Sequence, residues 1–372
     1  MGDTVPTRSY GLWDRMEAKR SPVSFDLEVT ARCNLDCRHC YINLPPGDHA
    51  AKAAEMSAAE IIALAEEAAA MGVLYCLVTG GEPLLRPDFP DIYLGLKRLG
   101  LLVSVFTNAC LVSPAHVELF RSYPPHDVEV SVYGATRETY EAVTSRAGSF
   151  GAFRRGLDLL LGGAIEVRLK AAAMRSTLHE LDSIAAFCRE HTKDYYRFDP
   201  LLRLRFDGDV RRNTEIIAER LTPEDIVAVE QADDERRAAL RSRRDDGTLI
   251  DPAYEQQASD RLFRCKAGIG SFAIGYDGTF RLCTPLWHPD TIYDLRAGSL
   301  RDAWDRWVPE VRGYRSSDPA YLSTCARCSL VGLCLACPAH AALESGAMDA
   351  FVPYFCEVAH ARAAALQDAS AS

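Results

Sequence analysis

The sequence predicts an α/β fold in which parallel strands alternate with helices and a small cysteine-rich domain follows. Six strand-like apolar runs recur in the first part of the chain, each followed by a helix-like segment. The composition then becomes charged and helix-prone, and finally rich in cysteine, glycine, proline and tryptophan. Strands that alternate with helices pair in parallel through right-handed crossovers, which gives either an open doubly wound sheet or a partial barrel.

Individual elements can be assigned from apolar runs and capping residues. The predicted strands are Val23–Thr30, Val73–Thr79, Leu102–Thr107, Val128–Tyr133, Ile165–Ala171 and Tyr195–Leu201. Ser57 and Glu60 form a capping box that begins the first long helix, and Thr222 caps a helix that begins at Pro223. Other predicted helices are Pro114–Arg121, Phe150–Leu161, Leu178–His191 and Val358–Gln367.

The composition predicts four regions and excludes some partners. The regions are an N-terminal extension (1–22), the strand–helix repeat (23–204), connecting helices (205–262) and the cysteine-rich domain (263–372). A net charge of -10 disfavours nucleic acid and anionic membranes as partners. No long apolar run or signal-peptide core occurs, so we expect a cytoplasmic protein. In that reducing compartment, 13 clustered cysteines indicate metal sites rather than disulfides.

Three cysteines follow the first predicted strand on a single loop. They are Cys33, Cys37 and Cys40, separated by three and two residues. A structural zinc site needs four ligands, and a 4Fe-4S cluster is normally held by four cysteines. Three cysteines without a near fourth therefore indicate an iron that is open to another ligand. Zinc is the alternative, with His39 or a distant cysteine completing the site.

The end of the second predicted strand carries a second motif, Thr79–Pro83, with the sequence Thr-Gly-Gly-Glu-Pro. Together with the cysteine loop, this motif resembles the radical S-adenosylmethionine (SAM) superfamily over about Ser24–Leu201. The resemblance implies a partial (β/α)6 barrel in which the loop cysteines hold a 4Fe-4S cluster that binds SAM. It also implies that Glu82 holds the SAM ammonium group, while Gly80 and Gly81 allow close backbone approach.

The same resemblance implies further contacts to SAM or to the substrate. His39 and Tyr41, which flank the third cysteine, would pack beside the adenine. Asn108 and Ser131 follow or end the third and fourth strands, where the active sites of barrels gather. Ordinary turn chemistry is the alternative for these two strand-end residues.

Other polar and thiol side chains in this region have weaker assignments. Lys170 and Arg175 flank the end of the fifth strand and could meet the SAM carboxylate, or they could be solvated surface charges. Cys76 lies in an apolar strand and Cys188 on an amphipathic helix, so both are expected to be small buried hydrophobes. Cys110, just after a strand end, is left without an assignment.

The C-terminal region holds seven cysteines, more than one metal site needs. They are Cys265, Cys283, Cys325, Cys328, Cys334, Cys337 and Cys356. By themselves they could bind two zinc ions or iron-sulfur clusters. Beside the N-terminal loop, their pattern resembles the SPASM extension of radical SAM enzymes, many of which carry two auxiliary 4Fe-4S clusters there.

The SPASM resemblance implies an interleaved set of ligands. The distal cluster would be held by Cys325, Cys328, Cys334 and Cys356, and the proximal cluster by Cys265, Cys283 and Cys337. The last local pair is separated by two residues, where three are common. A fourth proximal ligand is missing from the pattern, and water, Asp277, His288 or the substrate could supply it.

The resemblance implies reductive cleavage of SAM to a 5'-deoxyadenosyl radical, followed by oxidative modification of a substrate. Enzymes with this extension often modify peptides, so we expect a ribosomally made peptide or a protein that is crosslinked or oxidised on a side chain. A small-molecule dehydrogenase or epimerase is the first alternative. A non-enzymatic iron-sulfur or zinc protein is the second.

Partners and one excluded activity follow from the same comparison. Sulfatase-maturing relatives place an aspartate base directly after the second cysteine of the extension, where this chain has Thr284, a poorer base. Formylglycine formation is therefore disfavoured. An external electron donor such as flavodoxin or ferredoxin is expected. Because only 32 residues precede Cys33, a separate protein is expected to bind any leader peptide.

Overall fold

The structure is a computed structural model, and it describes residues 11–192, 197–245, 259–334 and 337–368. The strands in the described ranges are β1 (Ser24–Glu28), β2 (Tyr75–Thr79), β3 (Leu102–Thr107), β4 (Asp127–Val132), β5 (Val167–Ala172), β6 (Arg197–Asp199), β7 (Ser271–Ile274), β8 (Thr279–Arg281) and β9 (Tyr293–Asp294). They form one sheet in the order β6-β5-β4-β3-β2-β1-β7-β8-β9.

The first six strands are parallel and lie side by side in chain order. A doubly wound sheet reverses its strand order at a switch point, and β1 to β6 contain no reversal. The order selects the partial barrel, so the predicted α/β class and barrel are confirmed. Each end of β1 to β6 lies within two residues of its predicted position, whereas β7, β8 and β9 were not predicted.

The helices connect these strands and follow them. They are α1 (Gly11–Ala18), α2 (His49–Ala54), α3 (Ala58–Ala70), α4 (Phe89–Arg98), α5 (Pro114–Ser122), α6 (Arg137–Thr144), α7 (Ser149–Gly162), α8 (Leu181–His191), α9 (Val210–Glu219), α10 (Pro223–Ala232), α11 (Asp234–Asp245), α12 (Leu300–Asp302), α13 (Val308–Arg312), α14 (Pro319–Ser323), α15 (Pro338–Ser345) and α16 (Pro353–Asp368). Short 3-10 segments lie at Pro83–Leu85, Leu178–Glu180, Pro289–Thr291 and Cys325–Arg327, and a π-helical turn, Ala303–Trp307, joins α12 to α13.

The predicted helix starts have the expected caps. The Ser57 hydroxyl accepts from the backbone N–H of Glu60 at 3.3 Å, and the Glu60 carboxylate accepts from the Ser57 backbone N–H at 2.8 Å. The Thr222 hydroxyl accepts from the backbone N–H of Asp225 at 3.1 Å and so caps α10. Residues 195–196 of the sixth predicted strand and 246–258 of the predicted connection lie outside the described residues.

The two faces of the parallel strands differ in polarity. One face carries apolar residues such as Leu27 and Val130, which belong to the main core with the apolar faces of the helices. Because side chains alternate along a strand, the other face carries the intervening polar residues. We call this polar side the inner face, and its members include Asp26, Glu28, Glu129, Ser131 and Lys170.

The cysteine-rich region contributes strands to the same sheet. β7 pairs in parallel with β1 on the side opposite to β2, and β8 and β9 continue the sheet antiparallel to their neighbours. The sheet thus runs across the predicted domain limits, which stay a prediction. Within the described ranges, no helix has the length and apolar character that crossing a membrane requires.

Candidate active site

The cysteine loop leaves the carboxyl end of β1 and is tied back to it. The carbonyl of Ala31 accepts from the N–H of Leu44 at 2.8 Å, and the carbonyl of Leu44 accepts from the N–H of Cys33 at 2.9 Å. Helix α6 holds the other side, because the N–H of Asp36 donates to the carbonyl of Thr144 at 3.0 Å. The loop is therefore closed and fixed by main-chain bonds on both sides.

The three thiols of the loop are withdrawn from water. Cys33 and Cys37 are 7% and 5% exposed, and they form an apolar cluster with Leu35 against which Cys40 packs. Burial raises the pKa of all three thiols, and the nearby Glu82 carboxylate raises that of Cys33 further. A buried thiol stays protonated unless a metal replaces the proton, so in the metal-free protein these groups are poor nucleophiles.

The three loop thiols are donors of the type that hold 4Fe-4S clusters. In the described part of the chain, no three His, Cys, Asp or Glu side chains meet closely enough to hold a single metal ion. Three thiols gathered in one apolar cluster at the end of a strand are thus a suitable donor set for a 4Fe-4S cluster with one open iron.

Glu82 lies immediately beyond β2 and is fully buried. Its carboxylate accepts from the Thr107 hydroxyl at 2.8 Å and from the N–H groups of Leu84 at 3.1 Å and Asn108 at 2.8 Å. Burial raises the pKa of the carboxyl group to about 7, although these three hydrogen bonds lower it. The side chain is therefore fixed where β2 and β3 end, and the pKa of its carboxyl group lies close to neutral pH.

The two glycines before Glu82 pack against the backbone that enters the cysteine loop. A Cβ atom on Gly80 would lie 2.2 Å from the carbonyl oxygen of Thr30, and one on Gly81 would lie 2.2 Å from that of Arg32. Gly80 also has a φ of 133°, which side chains rarely adopt. The close approach in the structure is thus between two protein segments, and contact of these glycines with SAM stays a prediction.

Asn108 contacts the cysteine loop directly. Its amide nitrogen donates to the side-chain oxygen of Asn34 at 2.8 Å and lies 3.7 Å from the sulfur of Cys33. Its amide oxygen accepts from the backbone N–H of Cys110 at 2.9 Å. Cys110 packs against the cluster of loop cysteines, and burial raises the pKa of its thiol to about 12. The end of β3 therefore supports the loop as well as Glu82.

The remaining residues predicted to contact SAM are divided between two places. His39 lies against Tyr133, with ring centroids 5.2 Å apart, and burial lowers the pKa of its imidazole to about 4. Ser131 interacts with the phenol of the same Tyr133. Tyr41 instead contacts the guanidinium of Arg203, 5.8 Å from the ring centroid. His39 and Ser131 are brought together, and Tyr41 lies towards the C-terminal part of the chain.

Two buried arginines that the sequence analysis did not single out hold the cysteine loop. Arg205 donates to the backbone and side-chain oxygens of Asn43 at 3.1 and 2.8 Å. Arg212 donates to the carbonyl of Cys37 at 2.9 Å and pairs with the Asp36 carboxylate at 3.0 Å. Since 175 residues separate Cys37 from Arg212, no local spacing in the sequence could reveal this contact.

The cysteines assigned to the proximal cluster lie near one another. Burial raises the pKa of the Cys283 thiol to about 12, and the proximity of Cys337 and Cys265 adds to the effect. Of the candidate fourth ligands, Asp277 accepts from a hydroxyl in β8, and His288 accepts from a neighbouring backbone N–H. These contacts give neither residue a preference as the fourth ligand.

The cysteines assigned to the distal cluster are also gathered. Burial raises the pKa of the Cys356 thiol, and the nearby Cys328 and Cys325 raise it further. The sulfur of Cys334 lies 3.7 Å from the carbonyl oxygen of Phe355, next to Cys356 in the chain. The structure thus brings the start of α16 to the two cysteine pairs. The roles of these cysteines as ligands stay a prediction.

The inner face carries two polar contacts between β1 and the cysteine-rich region. Glu28 forms a fully buried ion pair with Arg281, whose guanidinium lies 3.5 Å from the ring centroid of Trp287. The carboxylate of Asp26 accepts from the hydroxyl of Thr284 at 2.8 Å. Burial raises the pKa of both carboxyl groups. The residue after Cys283 is thus a hydrogen-bond donor to a carboxylate on β1.

The other side chains considered from sequence have simpler surroundings. The Lys170 ammonium lies 3.9 Å from the Glu129 carboxylate on the inner face. Arg175, beyond β5, is exposed and is not among the residues that meet at the cysteine loop. Cys76 and Cys188 are 1% and 0% exposed and belong to the main core, as predicted.

Comparison with known proteins identifies the type of domain that contains the cysteine loop. Residues 27–185, which include the cysteine loop, Glu82 and Asn108, match the radical SAM superfamily. The chain thus contains a radical SAM domain, a type of domain that binds SAM and a 4Fe-4S cluster.

Two curated relatives and one solved structure extend the comparison. The chain is 29% identical to the AdoMet-dependent heme synthase of Methanosarcina barkeri, over 44% of this chain and 46% of that protein. It is 24% identical to the PqqA peptide cyclase of Gluconobacter oxydans, over 76% and 74%. The heme synthase and two further curated relatives are each matched over less than half of their own length.

The solved structure is that of Streptococcus suis SuiB bound to the precursor peptide SuiA. It has a TM-score of 0.67 and 16% identity, and the match covers 96% of this chain and 82% of that one. At this identity, the likeness shows a shared fold and nothing about function.

Proposed function

We propose that the protein is a radical SAM enzyme that oxidatively modifies a peptide or protein. The observation that carries this proposal is the meeting of the loop thiols, two buried and one half-buried, with the Glu82 carboxylate and the Asn108 amide at the carboxyl ends of β1 to β3. Active sites of barrel enzymes lie at that end of the strands. Peptide modification is supported by the PqqA peptide cyclase among the relatives.

The residues would divide the work between binding and orientation. When bound, the cluster and SAM supply a one-electron cleavage that yields the 5'-deoxyadenosyl radical. The loop thiols would hold the cluster, and Glu82 would accept hydrogen bonds from the SAM ammonium group. Asn108 would fix the loop through Asn34, and the inner face would orient the substrate and limit access of water.

The seven C-terminal cysteines would hold two auxiliary clusters. This part of the proposal rests on the proximity of Cys283 to Cys337 and Cys265, and of Cys356 to Cys325 and Cys328. Two separated groups of thiols in one region are what two clusters require. Clusters of this kind would carry an electron from the modified substrate to an external acceptor, and the initial electron would come from a donor such as flavodoxin or ferredoxin.

Anaerobic reconstitution tests the cofactor proposal. Iron and sulfide content, EPR spectra and 5'-deoxyadenosine formation are measured for the wild type and for a triple variant, Cys33→Ala, Cys37→Ala and Cys40→Ala. We expect the wild type to hold more iron than one cluster needs, and the variant to keep the excess but form no 5'-deoxyadenosine. Zinc in place of iron, with SAM left intact, would refute the enzyme proposal.

A modification of a small molecule is the second candidate, because one relative is a heme synthase. The two candidates differ in the species that gains or loses mass. Peptides encoded by short reading frames beside the gene are incubated with the reconstituted protein, SAM and a reductant, and their masses are recorded. We expect a loss of hydrogen from one such peptide. Turnover of a metabolite with every peptide unchanged would favour the second candidate.

Leader binding and cellular location are tested separately. We propose that a second protein binds any leader peptide, so modification should be faster when a leader-binding partner is added. A cytoplasmic location stays a prediction from the sequence, which contains neither a long apolar run nor the apolar core of a signal peptide. Fractionation of the cells in which the gene is native, with antibody detection of the chain, addresses it.

A further inference from the structure

Arg203 is a cation that lies near both the cysteine loop and the proximal cysteines Cys283 and Cys337. It lies just beyond β6, is half-buried, and its guanidinium approaches the ring of Tyr41, which directly follows the third loop cysteine. Arg203 also lies close enough to Cys283 and Cys337 to influence their thiols electrostatically. A substrate that reacts at the loop cluster and passes an electron to the proximal cluster would have to bind near Arg203.

Arg203 has no carboxylate partner in the part of the chain that the structure describes. Neighbouring cations are engaged: Arg281 pairs with Glu28, and Arg205 pairs with Asp207 at 2.6 Å. Asp26 is an electrostatic neighbour of Arg203, but its hydrogen bond comes from the hydroxyl of Thr284. Among the residues that the structure describes, no acceptor takes a hydrogen bond from the guanidinium of Arg203, so its N–H donors are available to a ligand there.

A half-buried guanidinium without a carboxylate partner among the described residues is suited to binding the carboxylate of a ligand. The guanidinium presents a planar set of donors that matches both oxygens of a carboxylate, and the pair is stronger where water is partly excluded. The ring of Tyr41 also contacts this guanidinium, whose central carbon lies 5.8 Å from the ring centroid. The surrounding paired charges would contribute little attraction for a second anion.

We propose that Arg203 is a specificity-determining residue that binds a carboxylate of the peptide substrate, so that the enzyme selects an acidic residue close to the modified position. This inference rests on the proposed function, because it assumes that a peptide binds between the cysteine loop and the proximal cysteines. The SAM carboxylate is the other source of the same chemistry, and the experiment separates the two.

The test measures peptide binding by the full chain, with its clusters reconstituted and SAM present under anaerobic conditions. A display library of randomised twelve-residue peptides is the probe, and sequencing of retained peptides is the readout. We expect the wild type to enrich Asp or Glu over Asn or Gln at one position by about 10-fold, the typical value of a charge-assisted hydrogen bond. Arg203→Met should abolish this preference, and Arg203→Lys should restore part of it.

Charge reversal and a surface control make the result specific. Arg203→Glu should replace the acidic preference by a preference for Lys or Arg at the same position. Arg211→Met, the same substitution at an arginine that is 72% exposed, should select as the wild type does. Iron content of each variant checks that folding and cluster assembly are intact.

The remaining outcomes separate failure of the inference from failure of the proposed function. The affinity for SAM, measured by equilibrium binding, should be equal in the wild type and Arg203→Met within about twofold, since the arginine binds the peptide. Loss of SAM affinity with unchanged peptide selection would overturn the inference. Peptide binding without acidic preference would also overturn it and leave the peptide proposal standing, whereas no retained peptide in the wild type would refute both.

Discussion

Glu82 combines full burial with three hydrogen-bond donors, and the two effects oppose each other. Burial dominates, so the pKa of its carboxyl group rises from 4.5 to about 7. Between these two values the folded protein keeps the proton while the unfolded chain releases it. Folding stability therefore falls as the pH rises through this window, and the loss is complete above it.

The first prediction is that Glu82→Gln removes this pH dependence from the cluster-free protein. A shift from 4.5 to about 7 corresponds to about 3 kcal/mol, so the variant should gain up to that amount relative to the wild type between pH 4 and pH 8. Urea denaturation of both proteins across this range measures the difference. A difference that stays constant with pH would contradict the assigned pKa.

Gly81 allows two backbone segments to touch, and the second prediction concerns it. Gly81→Ala would place a Cβ atom 2.2 Å from the carbonyl oxygen of Arg32, which cannot move without displacing the cysteine loop. We expect a loss of about 1–3 kcal/mol of stability and poor retention of iron after reconstitution. Gly162→Ala is the control, because a Cβ there meets nothing within 4 Å. Equal iron in both variants would refute the prediction.

At the scale of elements, the segment after β6 is the support of the cysteine loop. Arg205 precedes α9 and Arg212 lies on it, and both guanidinium groups donate to oxygens of the loop. Arg205 and Arg212 are 3% and 6% exposed, so their bonds are shielded from water. The order of α9 and the order of the loop should therefore be linked.

The third prediction is that Arg212→Met loosens the loop without unfolding the sheet. Loss of the bonds to Cys37 and Asp36 should speed amide exchange in residues 33–43 by about 10-fold, with β2 and β3 unchanged. Hydrogen–deuterium exchange with mass spectrometry measures this. The exposed Arg211→Met serves as the control, and equal exchange in the two variants would contradict the link.

At the scale of the whole molecule, the N-terminal and C-terminal parts share one sheet. β1 is bonded to β2 on one side and to β7 on the other, and the register aligns Ser24 with both Tyr75 and Ser271. The Glu28–Arg281 ion pair crosses the same junction and is fully buried. The two parts should therefore unfold together rather than as separate domains.

The fourth prediction tests that junction. Arg281→Met leaves the buried Glu28 charge without its partner and should lower the free energy of unfolding by about 3–5 kcal/mol. The double variant Glu28→Leu with Arg281→Met removes both charges and should recover most of that loss. Urea denaturation of the cluster-free proteins measures both effects. A double variant no more stable than the single one would show that the ion pair is not the cause.

The sequence by itself determined the elements and the local motifs. Strand positions, the capping box at Ser57, the three-cysteine loop and the Gly-Gly-Glu-Pro element all depend on residues close in the chain. Periodicity and short spacing record local geometry directly, because neighbouring residues share one backbone path. The radical SAM domain could be predicted from these features alone.

Only the tertiary structure decided which distant residues meet. It joined β7 to β1, placed Arg205 and Arg212 on the cysteine loop, and left Arg203 without a carboxylate partner among the described residues. These contacts span long stretches of the chain, and no spacing rule relates their members. Their positions follow from how the strands pair and how the connecting helices pack, since burial energy depends on the folded surface and not on the order of residues.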